Sequence, residues 1–570
     1  MTVTPDHDSR MLTALVQLHD ALKAAPLALD VPGAAELRVS RQQLIEQLED
    51  YVLPRQMTVE APLLAVVGGS TGAGKSTLVN SLVGRRVTAP GLLRPTTRSA
   101  VLVHHPDDAQ WFGQDRLLPE LVRVEQPTDD RHSLQLVASD TLPPGLAILD
   151  APDVDSVEEG NRVLATQLLA AADLWLFVTS AARYSDQVPW EHLKRAAERS
   201  TSVAIVLDRT PADAVRTVAT HLARMLAARG LKDSPLFTVA EAPVSEEGLL
   251  DASVVAEVRA WLVSLAEDPG ARSAVVRQTL DGTVRSLARQ AHGLADALTL
   301  QISAADALRE AATTAYAAAE QRAVTAATDG TLLRGEVAAR WREFAGTGEL
   351  LRSLEGRVGL IRDRLVNAVK GSGQQAERVA VAIESAVELM VVDHAEDAAT
   401  STAAAWAELG TAGPVLAGAD DLGRASGGLR RSVEGEVRAW QQQLTELVKA
   451  DDGDRRTSRY LAYGARGLAV TLAVVVLADT APDDHESGAE VGRTLLDAVF
   501  GEHSARLVAR GRADLERRIG SVLAAERGRA LGLLDGLGLD GEAGRQVRSA
   551  ARRVDDRRYE QSRPGAEPLP

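Results

Sequence analysis

The 570-residue chain contains no cysteine, and aromatic residues make up only 3% of it. The missing cysteines exclude disulfide bonds, thiolate metal sites and a cysteine nucleophile. Scarce aromatics and abundant alanine favour long helices over extended sheet. The first ten residues also lack the basic-then-apolar layout of a secretory signal, so we expect a cytoplasmic protein.

Positive charge is also in short supply. The sequence has 63 Lys and Arg against 79 Asp and Glu, a formal net charge of −16. A surface of this sign repels a phosphate backbone, so we expect no nucleic-acid partner. With 45% apolar residues, a chain of this length predicts a folded protein of several domain-sized units.

No apolar run reaches the roughly 20 residues that a membrane-spanning helix needs. One uncharged apolar stretch, residues 467–478, lies between Arg466 and Asp479 and has 12 residues. A stretch of this length fits either a buried core helix or a segment that contacts lipid. The sequence leaves both interpretations open.

The most informative motif is residues 69–76, which fill the phosphate-binding pattern G-x-x-x-x-G-K-[ST]. An apolar run at 63–67 predicts a strand before it, and residues 77–82 predict a helix after it. In this context the glycines let backbone N–H groups surround a triphosphate, and the helix adds its positive end. Lys75 can reach the β- and γ-phosphates, and the Ser76 hydroxyl can ligate Mg²⁺. The motif predicts a site for a nucleoside triphosphate.

Two further segments fit the metal side of such a site. Residues 146–149 predict an apolar strand that ends at Asp150, whose carboxylate can hold the Mg²⁺ shell. Residues 94–98 predict a loop in which Thr97 ligates Mg²⁺ and senses the γ-phosphate, as a first switch does. The predicted metal ligands are therefore Ser76, Thr97 and Asp150, and the predicted catalytic residues are Lys75 and Thr97.

Base recognition is not determined by these residues alone. Guanine sites usually have [N/T]-K-x-D after a strand, whereas the predicted strand at 203–207 is followed by Asp208, Arg209, Thr210 and Pro211. Pro211 occupies the place of the guanine-reading aspartate, so GTP and ATP both stay possible. The residues predicted to bind the nucleotide are Gly69, Ser70, Thr71, Gly72, Ala73, Gly74, Lys75, Ser76, Thr77, Asp208 and Arg209.

The pattern of apolar and polar residues changes at two places along the chain. Six short apolar runs that alternate with helical patterns predict an α/β P-loop domain with a largely parallel sheet at 61–268. The six predicted strands are 63–67, 100–104, 146–149, 174–178, 203–207 and 236–239. Apolar residues spaced three and four apart after Pro269 predict an elongated all-α helical stalk or bundle. The predicted segments are 1–60 (helical), 61–268 (P-loop domain), 269–450 (stalk), 451–500 (apolar, possible lipid contact), 501–560 (returning stalk helices) and 561–570 (disordered tail).

With these elements in order, the chain resembles the dynamin-like large GTPases of bacteria. It is more closely similar to actinobacterial GTPase-domain proteins of about the same length. The motifs that carry the resemblance are D-A-P-D-V-D-S at 150–156, A-D-L-W-L-F-V-T at 172–179, A-R-Y at 182–184, L-D-R at 207–209, W-R-E-F at 341–344, G-T-G-E-L-L at 346–351 and L-L-D-A-V-F-G-E at 495–502.

The resemblance implies a Mg²⁺-dependent GTPase head on a helical stalk. It also implies GTP-dependent pairing with a like or related chain, and action as a peripheral protein at the inner face of the cell membrane. Two departures from the dynamin pattern imply slow or partner-dependent hydrolysis. Thr71 occupies the place of a hydrolysis-organising glutamine, and Asp153 stands where the family has glycine.

Two other functions compete with this interpretation. A nucleotide-gated scaffold would bind GTP and barely hydrolyse it. An ATP-using P-loop enzyme, such as a transporter cassette, would need an L-S-G-G-Q-like signature just before the strand that ends at Asp150. The nearest lookalike, at residues 425–429, lies far beyond that strand, so the sequence disfavours a cassette.

Overall fold

The computed structural model describes residues 5–88, 99–114, 116–128, 130–156, 158–198, 201–346, 362–419, 421–450, 458–481 and 488–562. The chain divides into two compact units. The sheet unit comprises Met1–Leu27, Gly33–Thr299 and Asp540–Pro570, and the helical unit comprises Ala28–Pro32 and Leu300–Leu539.

An eight-stranded sheet forms the centre of the sheet unit, with the strand order β3-β4-β2-β5-β1-β6-β7-β8. Only the pairing of β2 with β5 is antiparallel among these strands. The strands are β1 Leu63–Gly69, β2 Ala100–His104, β3 Val122–Val124, β4 Ser133–Ala138, β5 Leu146–Asp150, β6 Leu174–Ser180, β7 Ser202–Thr210 and β8 Leu236–Ala240. The sequence predicts six of them; β3 and β4, at one edge, were not predicted.

The helices of the described residues range from single turns to sixty residues. They are α1 Pro5–Lys23, α2 Ala34–Gln47, α3 Leu53–Met57, α4 Lys75–Val83, α5 Glu159–Ala170, α6 Gln187–Glu198, α7 Val215–Ala228, α8 Ala256–Glu267, α9 Pro269–Thr328, α10 Gly335–Ala345, α11 Arg362–Leu409, α12 Gly413–Ala417, α13 Leu429–Ala450, α14 Ser458–Val476, α15 Ala489–Phe500, α16 Ser504–Asp535 and α17 Ala543–Ser562. A π-helical turn spans Leu48–Val52, and 3-10 turns span Pro106–Phe112 and Gly501–His503.

The central strands of the sheet are buried over their whole length. Every residue of β1, β5 and β6 is buried, as expected for parallel strands covered by helices on both faces. The N-terminal helices are tied to this sheet by a buried ion pair. Arg55 donates to both carboxylate oxygens of Asp173, and the N–H of Leu64 in β1 donates to the same carboxylate at 2.8 Å.

The helical unit has a continuous core in which the apolar stretch 467–478 lies. Residues 468–478 are all buried, at 6% exposure or less, among side chains of helices α10, α11, α13, α15 and α16. Two tryptophans of this core satisfy their ring N–H groups on backbone carbonyls. Trp341 donates to Gly488 at 3.0 Å and Trp440 to Gly511 at 2.9 Å. The structure thus shows the stretch as core, one of the two interpretations that the sequence left open.

None of the helices in the described part of the chain is both long and apolar enough to cross a bilayer. The two compact units also divide the chain differently from the predicted segments. Helix α17, predicted with the returning stalk helices, belongs to the sheet unit because it packs on α1. The sheet unit likewise includes the beginning of α9, up to Thr299. The predicted tail at 561–570 lies, beyond residue 562, outside the described residues.

Candidate nucleotide-binding site

The loop between β1 and α4 takes its path because two glycines have no side chain. Gly69 has φ +151°, and a Cβ there would lie 2.0 Å from the carbonyl oxygen of Val178 in β6. Gly74 has φ +102°, and a Cβ there would lie 2.1 Å from Oδ2 of Asp208 in β7. Neither position accommodates a larger residue. The loop is therefore held tightly against two strands, and the positive end of α4 opens toward it.

Lys75 begins helix α4, and its side chain turns back over the loop. The ammonium donates to the carbonyl oxygens of Gly69 and Ser70, each at 3.1 Å, and forms a buried ion pair with Asp153. Asp153 is the residue that stands where dynamins have glycine. The lysine of the loop is thus paired with Asp153, one of the two residues by which this chain departs from the family pattern.

The predicted metal ligands Ser76 and Asp150 are in direct contact. The Ser76 hydroxyl donates to Oδ2 of Asp150 at 2.7 Å, and the Thr88 hydroxyl donates to the same oxygen at 2.9 Å. The other oxygen, Oδ1, is buried and has no hydrogen-bond partner. Burial therefore raises the pKa of the Asp150 carboxyl, against the hydrogen bond from Ser76 and the charge of Lys75.

This donor set fits Mg²⁺. Hydroxyl and carboxylate oxygens are the ligands that a small hard cation prefers, and Oδ1 of Asp150 is a buried acceptor that lacks a donor. Within the described ranges no group of three or more His, Asp or Glu residues could hold a metal by itself. A Mg²⁺ ion here would accordingly depend on phosphate and water oxygens as well, which is its usual mode of binding.

Thr88 was not predicted as a site residue. Its position is fixed by Asn80 of α4, whose side-chain oxygen accepts from the N–H groups of Val87 and Thr88 at 2.8 and 3.0 Å. The amide of Asn80 donates to the Thr88 carbonyl at 2.9 Å. No local motif marks Thr88, because its role arises from a fold-back onto α4. The predicted switch residue Thr97 lies in the gap 89–98, outside the described residues.

A third carboxylate of the D-A-P-D-V-D-S segment, that of Asp155, also contacts the phosphate loop. Oδ1 of Asp155 accepts from the N–H of Thr71 at 2.6 Å and from its hydroxyl at 2.8 Å. The guanidinium of Arg183, in the turn after β6, lies 3.8 Å from the other oxygen of Asp155 and 3.0 Å from Asp186. Asp153 and Asp155 therefore hold two of the loop's phosphate-binding donors.

The predicted base-side residues lie on the other flank of the loop. Asp208 is a buried residue near the end of β7, and its Oδ1 accepts from the N–H of Arg209 at 2.7 Å. Arg209 has the left-handed φ of 49°, uncommon for a residue with a side chain, and its guanidinium donates to the carbonyl of Gly72 at 2.9 Å. Burial raises the pKa of Asp208 to about 6, opposed by its contacts with Arg209.

The remaining predicted loop residues occupy the turn itself and the start of the helix. The N–H of Ala73 donates to the Ser70 carbonyl at 3.2 Å, which closes the turn. The hydroxyl of Ser70 is buried without a hydrogen-bond partner. Thr77 lies in the first turn of α4, where its carbonyl accepts from the Ser81 hydroxyl at 2.7 Å. Apart from Thr97, all the predicted site residues come together around one loop.

Residues 64–209 match the model of the dynamin family, a family of P-loop GTPases. The matched range contains every predicted site residue, and the resemblance to dynamin-like GTPases inferred from the motifs is confirmed. The actinobacterial relationship stays a prediction. A comparison with curated proteins gives no significant match.

Solved structures of bacterial dynamins are among those that align with this chain. One, from an oligomerised bacterial dynamin pair described for long-range sensing and tethering of membranes, is 9% identical over 96% of this chain and 94% of that chain, with a TM-score of 0.38. A second structure, also from an oligomerised bacterial dynamin pair, is 12% identical over 72% of this chain and 79% of that chain, with a TM-score of 0.27. The bacterial dynamin GTPase LeoA from ETEC is 11% identical over 97% of both chains, with a TM-score of 0.24.

Proposed function

We propose that this chain, whose residues 64–209 form a dynamin-family P-loop domain, binds GTP together with Mg²⁺ and hydrolyses it. The observation that carries the proposal is the contact of Ser76 with Asp150 at 2.7 Å beside the Lys75 loop. It brings a phosphate cradle, a hydroxyl ligand and a buried carboxylate to one place. That combination serves phosphoryl transfer, in which positioning and charge neutralisation dominate catalysis.

The chain's own residues divide the work. The backbone N–H groups of the loop and the N-terminus of α4 bind the phosphates, and Lys75 neutralises charge between the β- and γ-phosphates. Ser76 and Asp150 would hold Mg²⁺, which when bound offsets phosphate charge and orients the γ-phosphate. To reach the phosphates, the Lys75 ammonium must leave Asp153, so nucleotide binding breaks this buried ion pair.

The geometry also gives weight to a second function, a nucleotide-gated scaffold with little hydrolysis. Thr71 cannot orient water as a glutamine amide would, and its hydroxyl is hydrogen-bonded to Asp155. Asp153 brings a carboxylate to the side of the γ-phosphate, where negative charge opposes the transition state. Both features favour slow turnover of the isolated chain and leave binding and release as the switch.

At the level of the whole protein, we propose that GTP pairs two heads, and that the helical unit acts as a stalk for a peripheral protein at the inner membrane face. The dynamin resemblance supports this proposal. The apolar stretch 467–478 gives it no support, because its side chains lie in the core. We expect binding of the full chain to anionic liposomes in flotation when GTP is present. Equal flotation with and without nucleotide would contradict the coupling.

The direct test compares GTP and ATP affinities with Mg²⁺ for the unmodified chain and Lys75→Ala, followed by single-turnover phosphate release with and without liposomes. We expect Lys75→Ala to weaken GTP binding at least about a hundredfold, because a buried charged contact to phosphate is lost. Lys232→Ala, at an exposed position of the same unit, is the matched control and should bind normally. Unchanged binding by Lys75→Ala would refute the proposal. Normal binding with no phosphate release would select the scaffold.

A further inference from the structure

The base side of the site lacks the carboxylate that its sequence motif would normally supply, because Pro211 occupies that place. Guanine presents two adjacent donors, N1–H and the N2 amino group, to an acceptor in front of it. Adenine presents the N1 acceptor there and no amino group at C2. A carboxylate, which is an acceptor only, therefore favours guanine over adenine strongly. The question is whether another carboxylate of this fold reaches the same edge.

Asp208 cannot serve this purpose. One of its oxygens accepts from the N–H of Arg209 at 2.7 Å. The other is packed so closely on the phosphate loop that a Cβ at Gly74 would lie 2.1 Å away. Oδ1 of this buried side chain is thus occupied by a hydrogen bond within β7, and Oδ2 is enclosed against the phosphate loop, so neither oxygen is open to a base.

Arg209 defines where a base would lie. Its left-handed backbone directs the side chain back over the phosphate loop, where the guanidinium donates to Gly72 at 2.9 Å. Its Cδ is 3.6 Å from the Cβ position at Gly74. The aliphatic part of the Arg209 side chain therefore lies along the loop. The base of a bound triphosphate can stack on this side chain.

Glu241 is the first residue after β8 and lies beside Arg209. Strands β7 and β8 pair Thr210 with Ala240, and the N–H of Glu241 donates to the Thr210 carbonyl at 3.1 Å. The side chain of Glu241 is exposed, so its carboxylate is accessible to a ligand. Its charge also reaches the site: after burial, it is one of the influences that raise the pKa of Asp208.

We propose that Glu241 is the residue that selects guanine in this chain, taking the role that Pro211 cannot fill. Its carboxylate accepts the N1–H and N2 amino donors of a guanine stacked on Arg209. This inference rests on the proposed function, because it assigns the base recognised by the same nucleotide site.

The test is a change of base preference rather than a loss of binding. In Glu241→Gln one carboxylate oxygen becomes an amide donor, which opposes the N2 amino group of guanine and pairs with the C2 oxygen of xanthine. We expect GTP affinity with Mg²⁺ to fall about ten- to a hundredfold, the worth of a good bidentate base contact. Xanthosine triphosphate should bind more tightly to this variant than to the unmodified chain. A gain of binding cannot result from misfolding.

Asp213→Asn is the matched control, because Asp213 is an exposed carboxylate in the turn just after Pro211. It should keep the GTP preference of the unmodified chain. If Glu241→Gln leaves GTP preference intact, or if Asp213→Asn shows the xanthosine response instead, the assignment is overturned. Absence of GTP binding by the unmodified chain would refute the proposed function itself, so the two failures are distinguishable.

Discussion

At the scale of single residues, the ion pair between Lys75 and Asp153 distinguishes this phosphate loop from the dynamin pattern. The pair is buried, and Lys75 belongs to the loop that we propose binds the triphosphate. A glycine in place of Asp153 would leave the lysine with only the carbonyl contacts of its own loop. The carboxylate therefore competes with phosphate for the same cation.

We predict that Asp153→Asn increases GTP affinity about tenfold, the equivalent of about 1.4 kcal/mol. The variant removes a competitor for Lys75 and a negative charge beside the γ-phosphate, while its amide keeps the shape of the side chain. Equilibrium titration with a fluorescent GTP analogue measures the change. Asp233→Asn, an exposed position in the same unit, should show no effect. Weaker binding by Asp153→Asn would mean that the carboxylate assists the nucleotide.

The predictability of the site from sequence also depends on the residue considered. Lys75, Ser76 and Asp150 stand in motifs whose spacing follows from a strand, a tight loop and a helix, so their meeting could be predicted. Thr88 reaches the site through a contact with Asn80 that no local pattern marks. The end of the last predicted strand indicates a base-side loop at Glu241, but the hydrogen bond of Glu241 to Thr210, on which its proposed role depends, follows from the pairing of β7 with β8. A contact between residues of two neighbouring strands can be predicted only when the order of the strands in the sheet is known. That order is set by the fold and cannot be read from a local sequence pattern.

At the scale of elements, the strands also divide into those that the sequence predicts and those that it does not. The six predicted strands are apolar runs buried in the sheet, which periodicity reveals directly. Strand β3 spans only Val122–Val124 and is partly exposed, so no apolar run marks it. Strand β4, Ser133–Ala138, has a weak alternation in Leu134 and Leu136, which is a short signal beside turn-forming residues. Edge strands are held by pairing with a neighbour more than by their own composition.

The apolar stretch in α14 shows how one composition can serve two environments. Its residues are as apolar as a lipid-contacting segment, and length alone did not decide between core and membrane. In the structure Val474 is fully buried in the core of the helical unit. Placing the stretch required knowledge of the helices around it.

We predict that Val474→Asp unfolds the helical unit, because an unpaired buried carboxylate costs several kcal/mol. Thermal unfolding and limited proteolysis of the full chain measure the loss. Val381→Asp is the matched control, since Val381 belongs to the same unit and is 53% exposed. It should change the unfolding temperature little. A folded Val474→Asp variant that loses only liposome binding would show that the stretch contacts lipid.

At the scale of the whole molecule, the chain returns to the sheet unit after its long passage through the helical unit. Helix α17 packs on α1, and its Val547 and Val554 are fully buried. Across the same unit, His292 of α9 lies 3.1 Å from Asp555 and Arg558 lies 2.9 Å from Asp281. The sequence pattern predicts a helix over the residues of α17. It does not indicate which unit the helix joins, because the apolar face of a helix can pack on many different surfaces.

We predict that Val554→Ala destabilises the sheet unit by about 2 kcal/mol through lost burial and a cavity. Hydrogen exchange should show faster opening of α1, α17 and the start of α9. Arg552→Ala, an exposed position of the same helix, should leave exchange unchanged. Faster exchange confined to the helical unit would instead favour the assignment of α17 to the returning stalk helices.

The return of α17 to α1 has a consequence for how the protein is made. A ribosome delivers α1 first and α17 only after some five hundred further residues, so the apolar stripe of α1 emerges long before its partner exists. The helical unit can be complete while the sheet unit still lacks its last helix. Folding of the sheet unit should therefore depend more than folding of the helical unit on chaperones that shield helical surfaces during translation. Ribosome-stalled chains that end just before Ala543 should be captured by them.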